Sequence, residues 1–256
     1  MKQRILTALV VIAVALGFFA LGDIGFMALI IAVLAFAAYE LYSLIKSQVK
    51  PIIYPIMLVF MIATPFMSIY NLVSLICGLF LVLALLMILT KWFTMDIMSL
   101  IFIMSTLIMM AIYSAVNLFM QFGYLAFFWI LVANYLTDTM AYFIGVKFGK
   151  HKMIPSVSPN KTWEGALGGY FGGLIGSLVF GYFLDFDYEF IILASLLIPI
   201  VAQLGDLFFS SIKRQYNIKD FGTLLPSHGG ILDRIDSLVF SLLLMMLLLN
   251  VWGIFL

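Results

Sequence analysis

The run Leu72–Thr90, LVSLICGLFLVLALLMILT, carries no charge and no proline, and it stops at Lys91. A helix needs roughly 20 mainly apolar residues to cross a bilayer, so this run has the length of one crossing. Its neighbours repeat the pattern. Upstream, apolar runs cover about Ile5–Leu21, closed by Gly22-Asp23, then Ile24–Ile45, closed by Lys46, then Ile52–Ile69, whose two prolines predict a kink. Downstream come Ile97–Met120 after Asp96, Tyr124–Val146, Thr162–Leu184, Glu189–Ile212 and a last helix from Leu232. The chain is 65% hydrophobic and 10% charged, with a mean hydropathy of +1.21. No water-soluble fold of 256 residues needs that much apolar surface. The expectation is an all-α integral membrane protein of about nine spans. It reads as a single polytopic domain over residues 1–256, with N-terminal helices in 1–122 and the catalytic helices and loops in 123–256.

Charge placement predicts the orientation. With the N-terminus cytoplasmic, all 13 Lys and Arg residues fall on inside segments, and the outside loops carry Asp23, Asp185, Asp187 and Glu189. Positive charge stays inside during insertion, so the N-terminus is expected in the cytoplasm and the C-terminus outside. The N-terminal MKQR and its apolar run read as a retained first helix, since no small-x-small cleavage site precedes the next span. Cys77, the single cysteine, lies in an apolar run, which leaves no disulfide framework and no CxxC metal site. Glycines 165, 169 and 173, at four-residue steps, predict a narrow ridge where another helix approaches closely.

Polar chemistry concentrates in two places. Ser210–Asp236, SSIKRQYNIKDFGTLLPSHGGILDRID, gathers Ser210, Lys213, Arg214, Lys219, Asp220, His228, Gly229, Gly230, Asp233, Arg234 and Asp236 beside membrane helices. Lys147–Lys161 adds four lysines and His151, and Lys161-Thr162-Trp163-Glu164-Gly165 then opens a helix. Lysines facing a helix N-terminus make a plausible phosphate seat, whereas the plainer reading is an anchor on anionic lipid headgroups. A carboxylate at mid-helix costs on the order of 3 kcal/mol on insertion scales. Asp138 and Asp206 each stand seven to nine residues before a lysine, Lys147 and Lys213, so both are expected at one depth near the inner interface. Asp206, Ser210 and Lys213 share a helix face, as do Asn134, Asp138 and Tyr142, and as do Asp233 and Asp236. The plainer alternative for Asp138 and Asp206 is that each pairs with a nearby Lys or Arg for structure alone. No second histidine has zinc spacing, whereas carboxylates beside lysines suit magnesium with phosphate oxygens as further ligands. Asp206 and Asp233, from separate helices, would suit one or two hard cations, which supports phosphoryl or nucleotidyl transfer.

The pattern Ser210-x-Ile212-Lys213-Arg214-x4-Lys219-Asp220-x-Gly222-x2-Leu225-Pro226-x-His228-Gly229-Gly230-Ile231-x-Asp233-Arg234-Ile235-Asp236 resembles the signature of the phosphatidate cytidylyltransferases, the CDP-diacylglycerol synthases. A second block is similar too: Thr137-Asp138-Thr139 through Tyr142-Phe143 to Phe148–Lys152, then Ser158-Pro159-x-Lys161-Thr162-Trp163-Glu164-Gly165. Val146 departs from it, standing where relatives often have a basic residue. The resemblance implies transfer of the cytidylyl group of CTP to phosphatidic acid, with pyrophosphate released. It also implies magnesium, an assisting potassium ion, a homodimer in the inner cell membrane, and metal binding by Asp206 and Asp233. The expected site therefore has Asp206, Asp233, Lys213 and Asp138 as catalytic residues. Lys161, Glu164, Ser210, Arg214, Lys219, Asp220, His228, Gly229, Gly230, Arg234 and Asp236 would contact substrate at the cytoplasmic face. CTP, phosphatidic acid and the bilayer are the expected partners, and nucleic acid is not. The rival readings are a CTP-dependent polyprenol or phytol kinase, and an ion-coupled transporter without a CTP requirement.

Overall fold

The computed structural model describes residues 13–14, 16–224 and 229–253. The expected first span, Ile5–Leu21, lies mostly outside them, as does His228. Helix dominates the described residues: α1 (Gly22–Ile45), α2 (Ile53–Ala63), a 3-10 turn (Thr64–Phe66), α3 (Ile69–Leu89), α4 (Met95–Phe148), α5 (Trp163–Gly181), α6 (Tyr188–Gln215) and α7 (Leu232–Val251). Five of these, α1, α3, α4, α6 and α7, are long and apolar enough to cross a membrane. The all-α membrane reading therefore stands.

Local chemistry explains the breaks. A straight α4 would be roughly 81 Å long at 1.5 Å per residue, far beyond a hydrocarbon core of about 30 Å. Gly123, with φ 79° and ψ 177°, interrupts it in a region essentially reserved for glycine. That break falls between the runs expected to end at Met120 and to restart at Tyr124. The expected run Ile52–Ile69 is shorter than predicted and does not stay one kinked helix. Pro55 sits in the first turn of α2, where its missing N–H is not needed, and Pro65 falls in the 3-10 turn that ends the helix. The loop Lys147–Lys161 also holds an unforeseen element, an antiparallel hairpin of β1 (Lys152–Ile154) and β2 (Ser158–Thr162).

The chain forms two compact units. One comprises residues up to Val116 together with Asp220–Arg234, the other Asn117–Lys219 together with Ile235 onward. In the first unit α1 buries a single stripe, Phe26, Ile30, Leu34, Ala37, Leu41 and Ile45, at three- and four-residue steps. It packs on α2, where Met57 and Met61 are fully buried. Helix α3 buries only Leu72, Leu79 and Leu83 and leaves Leu81, Leu85 and Ile88 exposed. A helix apolar on every side with so narrow a packed stripe suits contact with lipid.

In the second unit the glycine ridge behaves as its spacing predicts. Gly165, Gly169, Gly173, Ser177 and Gly181 form the buried face of α5. A Cβ at Gly169 would stand 2.7 Å from the Thr137 carbonyl oxygen and 2.8 Å from Ala141 Cβ, and one at Gly165 2.8 Å from the Ala141 oxygen. Only glycine lets α5 lie this close to the part of α4 after Gly123. In lipid such contact replaces the hydrophobic drive that holds soluble helices together. Nearby, the buried Trp129 Nε1 donates to the Ser177 carbonyl at 2.8 Å. Two packing predictions follow from the glycines. Gly169→Val should destabilise by about 1–3 kcal/mol or more through overpacking, and Gly123→Ala by about 1–3 kcal/mol through backbone strain. Thermal unfolding of the purified protein in detergent measures both, with Gly17→Ala as the control because none of the described residues lies within 4 Å of a Cβ there.

Candidate active site

Within the second unit, the hairpin, the end of α4 and the start of α5 enclose a cavity of about 500 Å³ together with α6. That lies in the range of ordinary small-molecule sites. Asp138, Tyr142, Lys152, Lys161, Gln203 and Asp206 supply most of its polar wall. The cavity thus joins the Lys147–Lys161 block to Asp138 and Asp206, while none of the described residues of Ser210–Asp236 lines it. Lys161 Nζ sits 2.5 Å from Asp206 Oδ2, and both side chains are a little under one-third exposed. Asp206 Oδ1 accepts from Ser210 Oγ at 3.2 Å, one turn along α6, as their shared face implies. Gln203 Nε2 donates to the carbonyls of Ala166 and Pro199, joining α6 to α5 on the cavity wall.

Glu164 is occupied by the hairpin. Its Oε2 accepts from the backbone N–H groups of Lys150 and His151, and its Oε1 lies 2.5 Å from His151 Nδ1. The start of α5 is also less open than a phosphate seat requires. Thr162 caps it by accepting from Gly165 N at 3.1 Å, and Trp163 N donates to the His151 carbonyl at 2.9 Å. Two of the N–H groups that a helix start leaves unpaired are thereby used by the protein. What the basic loop brings to the cavity is lysine charge more than helix dipole. Arg214 reaches the hairpin turn, donating from Nε to the Val157 carbonyl and from Nη1 to that of Ile218. These contacts use two of its five donors.

A polar ladder joins α7 to α4 beside the cavity. Ser237 Oγ donates to Asp138 Oδ2 at 3.4 Å, and Ser241 Oγ to Asn134 Oδ1 at 3.0 Å. The expected Asn134–Asp138 stripe therefore faces another helix. Lys213, buried near the end of α6, places Nζ 3.9 Å from Asp236 Oδ2. Close approach of α6 and α7 depends on Gly205, where a Cβ would lie 2.8 Å from the Asp236 carbonyl oxygen.

In the first unit the signature loop is organised around Asp233. Its Oδ2 accepts from Phe221 N at 2.8 Å and Gly230 N at 2.9 Å, and the residue is 8% exposed. Gly229 takes φ +81°, a conformation that L side chains rarely adopt, which accounts for that glycine. Lys219, Asp220 and Arg234 are exposed. One residue escaped the sequence reading: Glu40, in the middle of an apolar run, is buried and accepts from Ile231 N and Leu232 N, each at 2.8 Å. The signal is an acidic residue inside an otherwise apolar run, which is costly in a spanning helix.

A magnesium-type cation fits this donor set in kind. Among the described residues no cluster of three or more His, Cys, Asp or Glu side chains is arranged to hold a metal. Magnesium is usually held by one or two carboxylates plus substrate phosphates, and Asp206 offers one such carboxylate on the cavity wall.

Helices long and apolar enough to cross a membrane, with lysines and carboxylates lining one cavity, define the class as a helical membrane protein with a polar cavity. The family model described as the cytidylyltransferase family matches residues 2–252, and the chain belongs to that family. It is 35% identical to the phosphatidate cytidylyltransferase of Bacillus subtilis (strain 168) over 253 residues, 94% of each chain. It is 50% identical to that of Staphylococcus aureus (strain COL) over 117 residues, 45% of each chain. The corresponding protein of Staphylococcus haemolyticus (strain JCSC1435) is 48% identical over 117 residues. The hairpin geometry makes its own prediction: Glu164→Ala should speed hydrogen exchange at the Lys150 and His151 amides, read residue by residue, without changing exchange in α6.

Proposed function

We infer that this chain transfers the cytidylyl group of CTP to phosphatidic acid, giving CDP-diacylglycerol and pyrophosphate. The match to the cytidylyltransferase family over residues 2–252, with 35% identity to a phosphatidate cytidylyltransferase along nearly its whole length, carries the assignment. The phosphatidate oxygen attacks the α-phosphorus of CTP in line. The bond between that phosphorus and the bridging oxygen to the β-phosphate breaks, and pyrophosphate leaves. The nucleophile is already anionic, so no strong general base is needed.

Asp206 and Asp233 are the residues proposed to hold magnesium. Once bound, it would neutralise charge on the phosphates and stabilise the leaving group. Lys161, now paired with Asp206, has the charge and position to offset phosphate in the cavity. Lys213, Arg214, Lys219 and Arg234 are assigned the same task for the triphosphate. Asp138, Glu164, Ser210, Asp220, His228, Gly229, Gly230 and Asp236 complete the proposed site, with Glu164 acting through the hairpin it holds. The proposal extends to about nine spans with the N-terminus in the cytoplasm and the C-terminus outside, supported by the one-sided distribution of Lys and Arg. It places the protein in the inner cell membrane as a homodimer, with its site at the cytoplasmic face and potassium as an assisting ion.

The deciding assay uses purified protein with phosphatidic acid, magnesium and CTP labelled at either the α- or the γ-phosphorus. The α label should pass to lipid and the γ label to pyrophosphate. A γ label in lipid would instead identify a CTP-dependent lipid kinase. Asp206→Asn and Asp233→Asn should each lower turnover by on the order of 10²-fold or more, the scale of removing one electrostatic stabiliser, while both variants still insert in membranes. Full activity in either would remove that residue from the site. Addition of a chelator should stop the reaction, and magnesium should restore it.

A further inference from the structure

Glu40 lies in α1, 191 residues before Ile231, and belongs to neither polar block of the sequence. The residue is 3% exposed within a helix apolar enough to span a membrane. An ionisable group there is expensive and is kept for a reason. The reason visible here is backbone. Oε1 accepts from Ile231 N and Oε2 from Leu232 N, both at 2.8 Å. These N–H groups open α7, where a helix leaves its donors unpaired and its dipole favours negative charge. A distant helix thus supplies the cap that the local sequence does not.

Two glycines of the signature segment record the same contact. A Cβ at Gly222 would stand 2.7 Å from Glu40 Oε1, and one at Gly230 2.5 Å from its carboxyl carbon. Both positions accept no side chain while Glu40 is in place. Asp233 then grips the same loop from within through Phe221 N and Gly230 N. Two carboxylates therefore hold one loop and divide three consecutive backbone N–H groups between them: Gly230 to Asp233, Ile231 and Leu232 to Glu40.

We propose that Glu40 is a positioning residue for the cytidylyl-transfer site, fixing the 229–233 backbone and with it the placement of Asp233. This rests on the catalytic reading of Asp233 above, but the anchoring itself can be tested without it. Purified full-length protein and its Glu40→Ala and Glu40→Gln variants are compared by residue-resolved hydrogen exchange and by steady-state kinetics with CTP and phosphatidic acid. In Glu40→Ala the amides of Ile231 and Leu232 should exchange faster, followed by those of Phe221 and Gly230, while α2 and α3 keep wild-type protection. Turnover should fall by on the order of 10²-fold, the effect of misplacing a reacting group by about 1 Å. The KM for CTP should change far less.

Glu40→Gln is nearly isosteric and keeps one acceptor, so it should fall between the two and carries the test if Glu40→Ala does not assemble. Wild-type exchange at Ile231 and Leu232, or wild-type turnover, in whichever variant carries the test would overturn the proposal. So would a uniform rise in exchange across α1–α3 with turnover falling only in step with the folded fraction, which is what general destabilisation gives. If the wild-type protein made no CDP-diacylglycerol, the catalytic reading would fail, and the exchange data alone would decide whether Glu40 anchors the loop.

Discussion

A polar group in the apolar interior of a bilayer has no water to bond with, so the protein itself must satisfy it. Most of the specific contacts in this molecule answer that constraint. Asn134 and Asp138 on α4 meet Ser241 and Ser237 on α7. The Trp129 indole finds the Ser177 carbonyl, and Ser177 Oγ lies 2.8 Å from Ser195 Oγ. In the first unit Glu40 meets the open N–H groups of α7. Each contact needs two backbones close together, and glycine makes the approach possible: Gly165 and Gly169 on α5, Gly205 on α6, Gly222 and Gly230 around Glu40.

The same constraint shapes the chemistry. Asp206 on the cavity wall meets a counter-cation, with Lys161 Nζ 2.5 Å from its Oδ2. An ion pair that lines a cavity is also a pair of groups held ready for a ligand of either sign. Around it, the hairpin that Glu164 and Arg214 pin down places Lys152 and Lys161 in the cavity wall. The basic loop is therefore an ordered part of the site. Its ordering comes from backbone hydrogen bonds to side chains that the family signature had suggested for substrate.

The nature of this protein was legible in one dimension because composition and run length report on solvent. A charge-free run such as Leu72–Thr90 has only one stable environment, and glycine at four-residue steps on α5 has only one common use. The polar blocks announced themselves in the same way, and the cytidylyltransferase signature in them led directly to the family. The boundary at Gly123 was readable only as the gap between runs expected to end at Met120 and restart at Tyr124.

Pairings between residues far apart in sequence were not legible. Nothing in the run Ile24–Ile45 says that Glu40 caps a helix some 190 residues later, because a cap is normally supplied by its own chain end. Nor does KFGKHKMIPSVSPNK reveal a hairpin, since its strands are short and are held in part by Glu164 and Arg214 from outside the segment. By itself the sequence determined solvent, helix content, family and the residues worth watching, since those follow from local composition and spacing. Which donor each buried carboxylate would find was decided only by the tertiary structure, because hydrogen bonds act over about 3 Å and take no account of distance along the chain.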